Sequence, residues 1–238
     1  MRLVLSEKRM IHMNYKAVCF DMDGVLVNTM DDHALAWHHA FREQGHVVKA
    51  ADFYELEGMP GMQTILHVNR IYGLQLPLEQ QEAIYRNKRA HFVKHSKYGF
   101  YQHTLQALKG LSQSGIPIGL ATGSRKEFVN EVLERLEEMG ITFDAVITGD
   151  DVEKGKPSPE PYEKVFAQFS YRPNEWIVVE NAPLGIQAAV ASGAFVLALL
   201  TTLPEEKLIL ANDILKHHQE LKEYLLSEVG VQARDFTK

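Results

Sequence analysis

Short runs of hydrophobic residues recur along the chain and predict a buried parallel sheet. Five runs have the length of buried strands, and most of them are rich in Val and Ile. They lie at residues 17–20, 116–121, 145–148, 176–179 and 195–200. Segments with helical periodicity separate most of these runs. The pattern therefore predicts an α/β fold with a doubly wound parallel sheet.

The segments between the runs indicate where helices begin and end. Residues 126–140 place Phe128, Val132, Leu133, Leu136 and Met139 on one face. Gly140 is suited to end that helix. Further helices are predicted at 159–169, where a proline suits the first turn, and at 183–194, where small residues allow close packing on a sheet.

One stretch interrupts the alternation of strands and helices. The 68 residues from Met30 to Lys97 show amphipathic helical patterns and no convincing strand. This is too long for a simple crossover between strands. The sequence predicts a catalytic α/β core formed by residues 15–29 and 98–238, with residues 30–97 inserted as a helical cap.

Composition and charge narrow the classes of protein. The chain has 238 residues, a formal charge of −6, a pI of about 6.0 and no basic stripe, so nucleic-acid binding is not expected. Cys19 is its only cysteine, which excludes a disulfide framework. The first 15 residues lack the apolar core of a secretory signal, and Met10 or Met13 is an alternative start. We expect a soluble, cytoplasmic monomer with no membrane segment.

Two acids follow the first predicted strand, in the segment KAVCFDMDGVLVNT at residues 16–29. Ligands of open parallel sheets bind beyond the carboxyl ends of the strands, which is where Asp21 and Asp23 lie. Close carboxylates repel one another unless a cation joins them, so Mg²⁺ is the expected cofactor. One acid would attack phosphorus while the other exchanges a proton. The alternative is a pair of turn-capping aspartates without a catalytic role.

Three more strand ends carry polar groups. Thr122, Gly123 and Ser124 follow the second strand and offer a hydroxyl and backbone amides for phosphate oxygens, although Ser124 could simply cap a helix. Lys156 follows the third strand in GDDVEKGKPSPEPY and can neutralise phosphate. This loop is not a P-loop, because its glycine spacing is wrong and a proline follows the lysine. The fourth strand ends in an acid and an amide, Glu180 and Asn181.

This ordered set resembles the haloacid dehalogenase superfamily of phosphotransferases, in the branch with a helical cap after the first motif. The resemblance implies that Asp21 is the nucleophile and Asp23 the general acid/base. It also implies that Thr122 and Lys156 bind phosphate. The metal ligands would come from Asp21, Asp23 and the Glu180–Asn181 pair. The family commonly has an acid pair at the last position, so the asparagine predicts working catalysis with weaker metal affinity.

Residues of the predicted cap bear on the substrate. His33 and Trp37 match positions of β-phosphoglucomutase-like members, in which the histidine assists the second acid. Such mutases carry a lysine where this chain has Glu57 and an arginine where it has Gly61. Glu57 would repel a second phosphate unless a metal intervened, and a glutamate here is similar to inorganic pyrophosphatases of the same branch. Lys88 could reach an anionic substrate from the cap.

The resulting prediction is a Mg²⁺-dependent phosphohydrolase acting on pyrophosphate or a small phosphate ester. The alternatives are a β-phosphoglucomutase-like mutase, a phospho-accepting receiver domain and a silent binding module. His91 and His95 have the spacing of a zinc-binding pair, but no metalloprotease pattern accompanies them. We therefore interpret the many histidines of this region as a solvated surface.

Overall fold

A six-stranded parallel sheet forms the centre of the protein. The computed structural model describes residues 15–229, so residues 1–14, with both alternative start methionines, lie outside the described part. The strands are β1 Ala17–Phe20, β2 Ile118–Ala121, β3 Ala145–Ile147, β4 Trp176–Glu180, β5 Phe195–Leu199 and β6 Asp213–Leu215. Their spatial order is β3-β2-β1-β4-β5-β6, and every neighbouring pair is parallel.

Helices connect the strands. They are α1 Met30–Glu43, α2 Gly61–Ile71, α3 Leu78–His95, α4 Gln102–Gln113, α5 Lys126–Glu138, α6 Glu160–Phe166, α7 Pro183–Ala191 and α8 His218–Glu228. Short 3-10 helices occur at Ala50–Leu56, Pro173–Glu175 and Glu205–Lys207. No helix of residues 15–229 is both long enough and apolar enough to cross a bilayer.

Hydrophobic side chains cover both faces of the sheet, as the alternation along β1 requires. Val18 and Phe20 belong to one core cluster, which includes residues of α4, α5 and α8. Ala17 and Cys19 point the other way, into a cluster with residues of α6 and α7. The doubly wound sheet predicted from the sequence is therefore confirmed.

Sequence and structure differ at two places in this core. All five predicted strands are present with ends shifted by at most two residues, but β6 was not predicted. The buried face of α5 contains Val129, Val132 and Leu136, whereas Met139 is 38% exposed. Gly140 follows that helix with φ +75°, a conformation that glycine adopts without strain.

Residues 30–97, called the helical segment below, contain α1, α2, α3 and a 3-10 helix, and no strand is assigned among them. They have a hydrophobic cluster of their own, in which Trp37, Phe41 and Phe53 pack with Ile65 and Ile84. Each fully buried side chain of this size contributes about 1.5–3 kcal/mol. The segment is thus a packed layer rather than a long loop.

Candidate active site

The predicted strand-end residues come together at one edge of the sheet. Asp21 follows β1, Thr122 follows β2, and Glu180 and Asn181 lie at the end of β4. Because β2, β1 and β4 are adjacent and parallel, their carboxyl ends lie side by side. Lys156 reaches the same place from the loop after β3. The strand order reverses about β1, which is where open α/β sheets bind ligands.

Lys156 forms the centre of this group. Its Nζ donates to Asp21 Oδ1 at 2.5 Å, to Glu180 Oε1 at 2.6 Å and to the carbonyl of Ala121 at 3.1 Å. Lys156 and Glu180 are each 1% exposed and Asp21 is 5% exposed. Burial alone would lower the pKa of Lys156, but the negative charges of Asp21 and Glu180 outweigh the effect of burial, so the pKa is raised. Burial raises the pKa of Asp21, and the charge of Lys156 opposes this.

Both carboxylate oxygens of Glu180 accept hydrogen bonds. Oε1 accepts from Lys156 and, at 2.7 Å, from the Tyr162 hydroxyl, while Oε2 accepts from the backbone N–H groups of Asn181 and Ala182. A Cβ on Gly185 would lie 1.7 Å from Oε1, so only glycine leaves room for this carboxylate. Hydrogen bonds from protein groups therefore fix the Glu180 carboxylate, without the need for a bound ion.

Asn181 differs from its neighbour. Its side chain is fully buried, and neither Oδ1 nor Nδ2 has a hydrogen-bond partner among the described residues. Leaving a buried polar group unpaired costs about 1–3 kcal/mol. The side chain lies against Gly24, where φ is +83° and a Cβ would approach Nδ2 to 2.1 Å. An oxygen-seeking cation beside the Asp21–Gly24 turn would satisfy the amide oxygen, so the residues present fit a hard metal ion.

Asp23 is fixed by three side chains. Oδ1 accepts a hydrogen bond from the Thr29 hydroxyl and lies 3.1 Å from His33 Nε2, and Oδ2 accepts from Ser124 Oγ at 2.7 Å. Burial would raise the pKa of Asp23. The neighbouring His33 and the two hydroxyls outweigh it and lower the pKa to about 2. Asp23 is accordingly a carboxylate at neutral pH.

The loop after β2 lies between Asp23 and the helical segment. Ser124 N donates to Thr122 Oγ1 at 3.0 Å, which fixes the turn. A Cβ on Gly123 would come within 3.1 Å of the Gly58 backbone, so this loop and the helical segment are in close contact. The predicted phosphate-binding residues therefore lie at the boundary between the two parts of the protein.

Three predicted residues of the helical segment reach Asp23 or its neighbours. His33 stacks on Phe92 with ring centroids 4.0 Å apart, and its Nδ1 lies 2.8 Å from Lys88 Nζ. An ammonium group can only donate, so we infer that Nδ1 accepts and that Nε2 donates to Asp23. Burial raises the pKa of Glu57 and lowers that of Lys88. One ligand atom from each of Asp23, His33 and Glu57 lies within 4.8 Å of the others.

Trp37 belongs to the wall of a cavity between the two parts. Its ring stacks on Phe53 at 5.7 Å, and Lys88 Nζ lies 5.4 Å from its centre. The cavity has a volume of about 220 Å³ and is also lined by Glu57, Gly123 and Ser124. All ten predicted catalytic and substrate-binding residues thus lie in or next to this region.

Several residues of the site were not predicted. Thr29 bonds Asp23, Tyr162 bonds Glu180, and Gly185 makes space for Glu180. Thr29 and Tyr162 are the last residues of the segments KAVCFDMDGVLVNT and GDDVEKGKPSPEPY, which the sequence analysis had selected. Their position in these segments was the only feature of the sequence that pointed to the site. The cavity lining also contains Arg125, which was not predicted, and Arg89, which the sequence offered beside Lys88 as a group that could reach an anionic substrate.

Comparison with known proteins places the chain in a family. The family model described as haloacid dehalogenase-like hydrolase matches residues 18–199. Validoxylamine A 7'-phosphate phosphatase of Streptomyces hygroscopicus subsp. limoneus is 30% identical over 87% of this chain and 96% of its own length. β-Phosphoglucomutase of Bacillus subtilis is 30% identical over 76% of this chain and 81% of its own.

A solved structure shows the same architecture. A β-phosphoglucomutase candidate from Bacteroides vulgatus superposes with a TM-score of 0.82, at 33% identity, over 92% of this chain and 91% of its own. The receiver-domain and silent-module alternatives are therefore wrong. The chain belongs to the haloacid dehalogenase-like hydrolase family, within its phosphatase and phosphomutase group.

Proposed function

We propose that this protein is a magnesium-dependent phosphohydrolase that acts through an aspartyl-phosphate on Asp21. The observation that carries the proposal is the buried, unpartnered side chain of Asn181 beside a carboxylate that Lys156 holds in place. Most buried polar groups of folded proteins have a hydrogen-bond partner, so an amide without one at a strand end indicates a ligand site. Asp21 and Asn181 would hold a metal ion there, and such an ion would supply charge neutralisation for phosphoryl transfer.

Asp21, the main-chain carbonyl of Asp23 and the amide oxygen of Asn181 would hold the magnesium ion. These are the oxygen ligands that Mg²⁺ prefers. When bound, the ion would neutralise charge on the phosphate oxygens. Glu180 was a further candidate ligand. Because both of its oxygens already accept hydrogen bonds, we assign it instead to positioning Lys156.

Asp21 and Asp23 divide the two chemical steps. A carboxylate oxygen of Asp21 attacks phosphorus, the bond from phosphorus to the leaving-group oxygen breaks, and the electron pair stays on that oxygen. Asp23 is a carboxylate at neutral pH, so the only proton that it can donate to a leaving group is one taken up in the second step of an earlier turnover. Phosphate, the leaving group of pyrophosphate, departs without it. In the second step it takes a proton from the water that attacks the phosphorus of phospho-Asp21, which restores the carboxylate and releases phosphate.

Neighbouring groups orient these steps. Lys156 keeps one Asp21 oxygen in a fixed direction. The Thr122 hydroxyl and the backbone amide of Gly123 are available to bind phosphate oxygens, whereas the Ser124 amide donates to Thr122 Oγ1. Much of the rate enhancement would come from positioning and charge neutralisation rather than from covalent chemistry.

The helical segment acts as a cap in this proposal. Substrate must pass between it and the sheet, because Gly58 lies against Gly123 and Lys156 as they stand. His33, oriented by Lys88, keeps Asp23 in place when the segment is closed. Opening admits substrate, and closure excludes bulk water from the intermediate.

Pyrophosphate is the first candidate substrate. A mutase must hold a second phosphate at a distance from the reacting one, and residues 57 and 61 provide glutamate and glycine for that task rather than two cations. Glu57 lies with Asp23 and His33 in a group able to bind a cation. Pyrophosphate is bound as a metal complex, and its cation would turn the repulsion by Glu57 into attraction.

A small organic phosphate ester is the second candidate, and the cavity favours it. The cavity volume is about 220 Å³, and its wall includes the aromatic side chains of Trp37, Phe92 and Phe128. Aromatic walls bind the apolar faces of a sugar or cyclitol. The phosphatase relative named for validoxylamine A 7'-phosphate supports this class, and the β-phosphoglucomutase relative keeps a mutase as the remaining alternative.

The test is phosphate release in the presence of Mg²⁺, comparing pyrophosphate with a panel of hexose phosphates. Asp21→Asn serves as the control that removes the attacking oxygen's charge and keeps the side-chain shape. We expect turnover of pyrophosphate above that of every ester, and none in the control. Preference for one ester would support the second candidate. Unchanged turnover in Asp21→Asn would contradict the nucleophile assignment.

A further inference from the structure

A group of histidines lies on the outer face of the α1–α3 pair. His39 and Glu43 are one helical turn apart on α1, and His91 and His95 are one turn apart on α3. The ring centroids of His39 and His91 are 5.2 Å apart, and those of His91 and His95 are 5.8 Å apart. His91 Nε2 lies 2.6 Å from Glu43 Oε1. The site proposed above uses none of these four side chains.

The packing of α1 against α3 fixes this arrangement. Residues near the start of α1 face the end of α3, as the hydrogen bond from Ser96 to Asp32 shows. Residues at the end of α1 face earlier positions of α3, where Asn87 Nδ2 donates to Glu43 Oε2 at 2.7 Å. The two helices are therefore antiparallel, and their one-turn pairs meet across the seam.

We propose that His39, Glu43 and His91 form a binding site for a divalent transition metal of the Zn²⁺ class, with His95 as a fourth ligand. A site with two imidazoles and a carboxylate binds Zn²⁺ and neighbouring first-row transition metals more strongly than it binds Mg²⁺. The amide of Asn87 orients Glu43 in the way that outer hydrogen bonds orient metal-binding carboxylates.

The side chains can close around an ion by local rotation. His39 and His95 are exposed and His91 is partly buried, so their rings are able to change rotamer without disturbing the core. Glu43 and His91 are already in direct contact with each other, and a bound ion would replace that contact by lying between Oε1 and Nε2.

A metal at this place would join the two helices that carry His33 and Lys88. His39 is six residues from His33 on α1, and His91 is three residues from Lys88 on α3. The ion would therefore stiffen the helix pair of the segment at a distance from the phosphate chemistry. Binding there needs no hydrolysis, so this proposal stands or falls separately from the proposed function.

The test is titration of the full chain, without an affinity tag, with Co²⁺ and Zn²⁺. The parent variant is Asp21→Asn with Glu57→Gln, which weakens metal binding at the phosphate site. Tetrahedral Co²⁺ gives visible absorption bands that report its ligands, and Zn²⁺ should displace it. In this parent we expect one site per chain and a rise in Tm on adding Zn²⁺.

Two further substitutions in the same parent separate the outcomes. His91→Ala should weaken Zn²⁺ binding about tenfold or more and abolish the rise in Tm. His103→Ala, which removes a histidine on α4, should change neither. Equal binding in these two variants, or no Co²⁺ bands in the parent, would overturn the proposal. Glu43→Gln should give an intermediate affinity, because it keeps the shape and removes the charge.

Discussion

The two halves of the site hold their charged groups in different ways. On the sheet side, Asp21, Lys156 and Glu180 are at most 5% exposed, and Lys156 bonds both carboxylates. On the side of the helical segment, Glu57 and Lys88 are only partly buried, and Arg89 pairs with Glu127 of α5 through side chains that are 44% and 82% exposed. The first set depends on strands that the core fixes, and the second on helices that lie over them.

This difference in burial suits the two sides to different tasks, the reaction on the sheet side and the choice of substrate on the helical side. Buried charges need complete pairing, so each sheet-side residue constrains the others and little can change without loss. Exposed pairs contribute about 0–1 kcal/mol each and tolerate substitution. In the proposed function, the sheet side would therefore carry the reaction, while the helical side would determine which substrate reaches it.

We expect the strongest loss when Lys156 on the sheet side is replaced by methionine. The same replacement at Lys88 on the helical side is the comparison. Lys156→Met leaves two buried carboxylates without their cation, so it should destabilise the fold by about 3–5 kcal/mol and reduce turnover about 1000-fold or more. Lys88→Met should reduce turnover less and leave stability nearly unchanged. Urea unfolding and phosphate release measure both. Similar losses of stability would show that the two halves do not differ in this way.

Asn181 tests the assignment of the metal ligands. Asn181→Ala removes an oxygen ligand and should raise the Mg²⁺ concentration for half-maximal activity about 10–100-fold. Asn181→Asp adds a negative charge beside the ion and should lower that concentration. Activity titrated with Mg²⁺ distinguishes them. If both variants respond to Mg²⁺ like the parent, Asn181 is not a ligand.

Glu57 tests selection by the helical segment. Glu57→Lys should reduce pyrophosphate hydrolysis about tenfold relative to hydrolysis of a phosphate ester, which equals about 1.4 kcal/mol of transition-state binding. Glu82→Lys makes the same charge change on an exposed position of α3 and should alter neither rate. The ratio of the two kcat/KM values is the measurement. An equal loss on both substrates would remove Glu57 from substrate selection.

Gly185 tests the close packing behind the sheet-side charges. In an unhindered helix, alanine is favoured over glycine by about 1 kcal/mol. Here the new Cβ would strike Glu180, so Gly185→Ala should destabilise the protein by about 1–3 kcal/mol and lower turnover. Gly110→Ala is the control, because its Cβ meets only the mobile end of Leu226. A stabilised Gly185→Ala protein would contradict the packing argument.

The smallest effect is expected in the pH dependence of the protein's stability. His218 stacks on Tyr101 at 3.6 Å, and burial lowers its pKa to about 4. The unfolded chain takes up this proton near pH 6.5 and the folded protein only near pH 4. Stability should therefore fall as the pH drops through that range, by a few degrees in Tm. His218→Phe keeps the stacked ring and should reduce the fall; an unchanged pH profile would exclude His218 as its source.

Local patterns predicted the sheet and the strand-end residues, because a buried strand and the polar group that ends it are adjacent in sequence. Strand β6 escaped prediction since Asp213–Leu215 has only three residues, two of them partly buried. The bond from Tyr162 to Glu180 joins side chains on α6 and β4, and the bond from Thr29 to Asp23 joins two residues of the loop between β1 and α1. No periodicity along the chain reports such contacts. The spacing of His91 and His95 was visible in the sequence, but their closeness to His39 and Glu43 on α1 was not.

Detection of the covalent intermediate would show whether Asp21 is the nucleophile. The protein is mixed with pyrophosphate and Mg²⁺, quenched within milliseconds, treated with borohydride and mapped by mass spectrometry. A phosphorylated aspartate is reduced to homoserine under these conditions. We expect homoserine at position 21 in a substrate-dependent amount, and none at position 23. Turnover without any modified Asp21, or modification at Asp23 instead, would contradict this assignment.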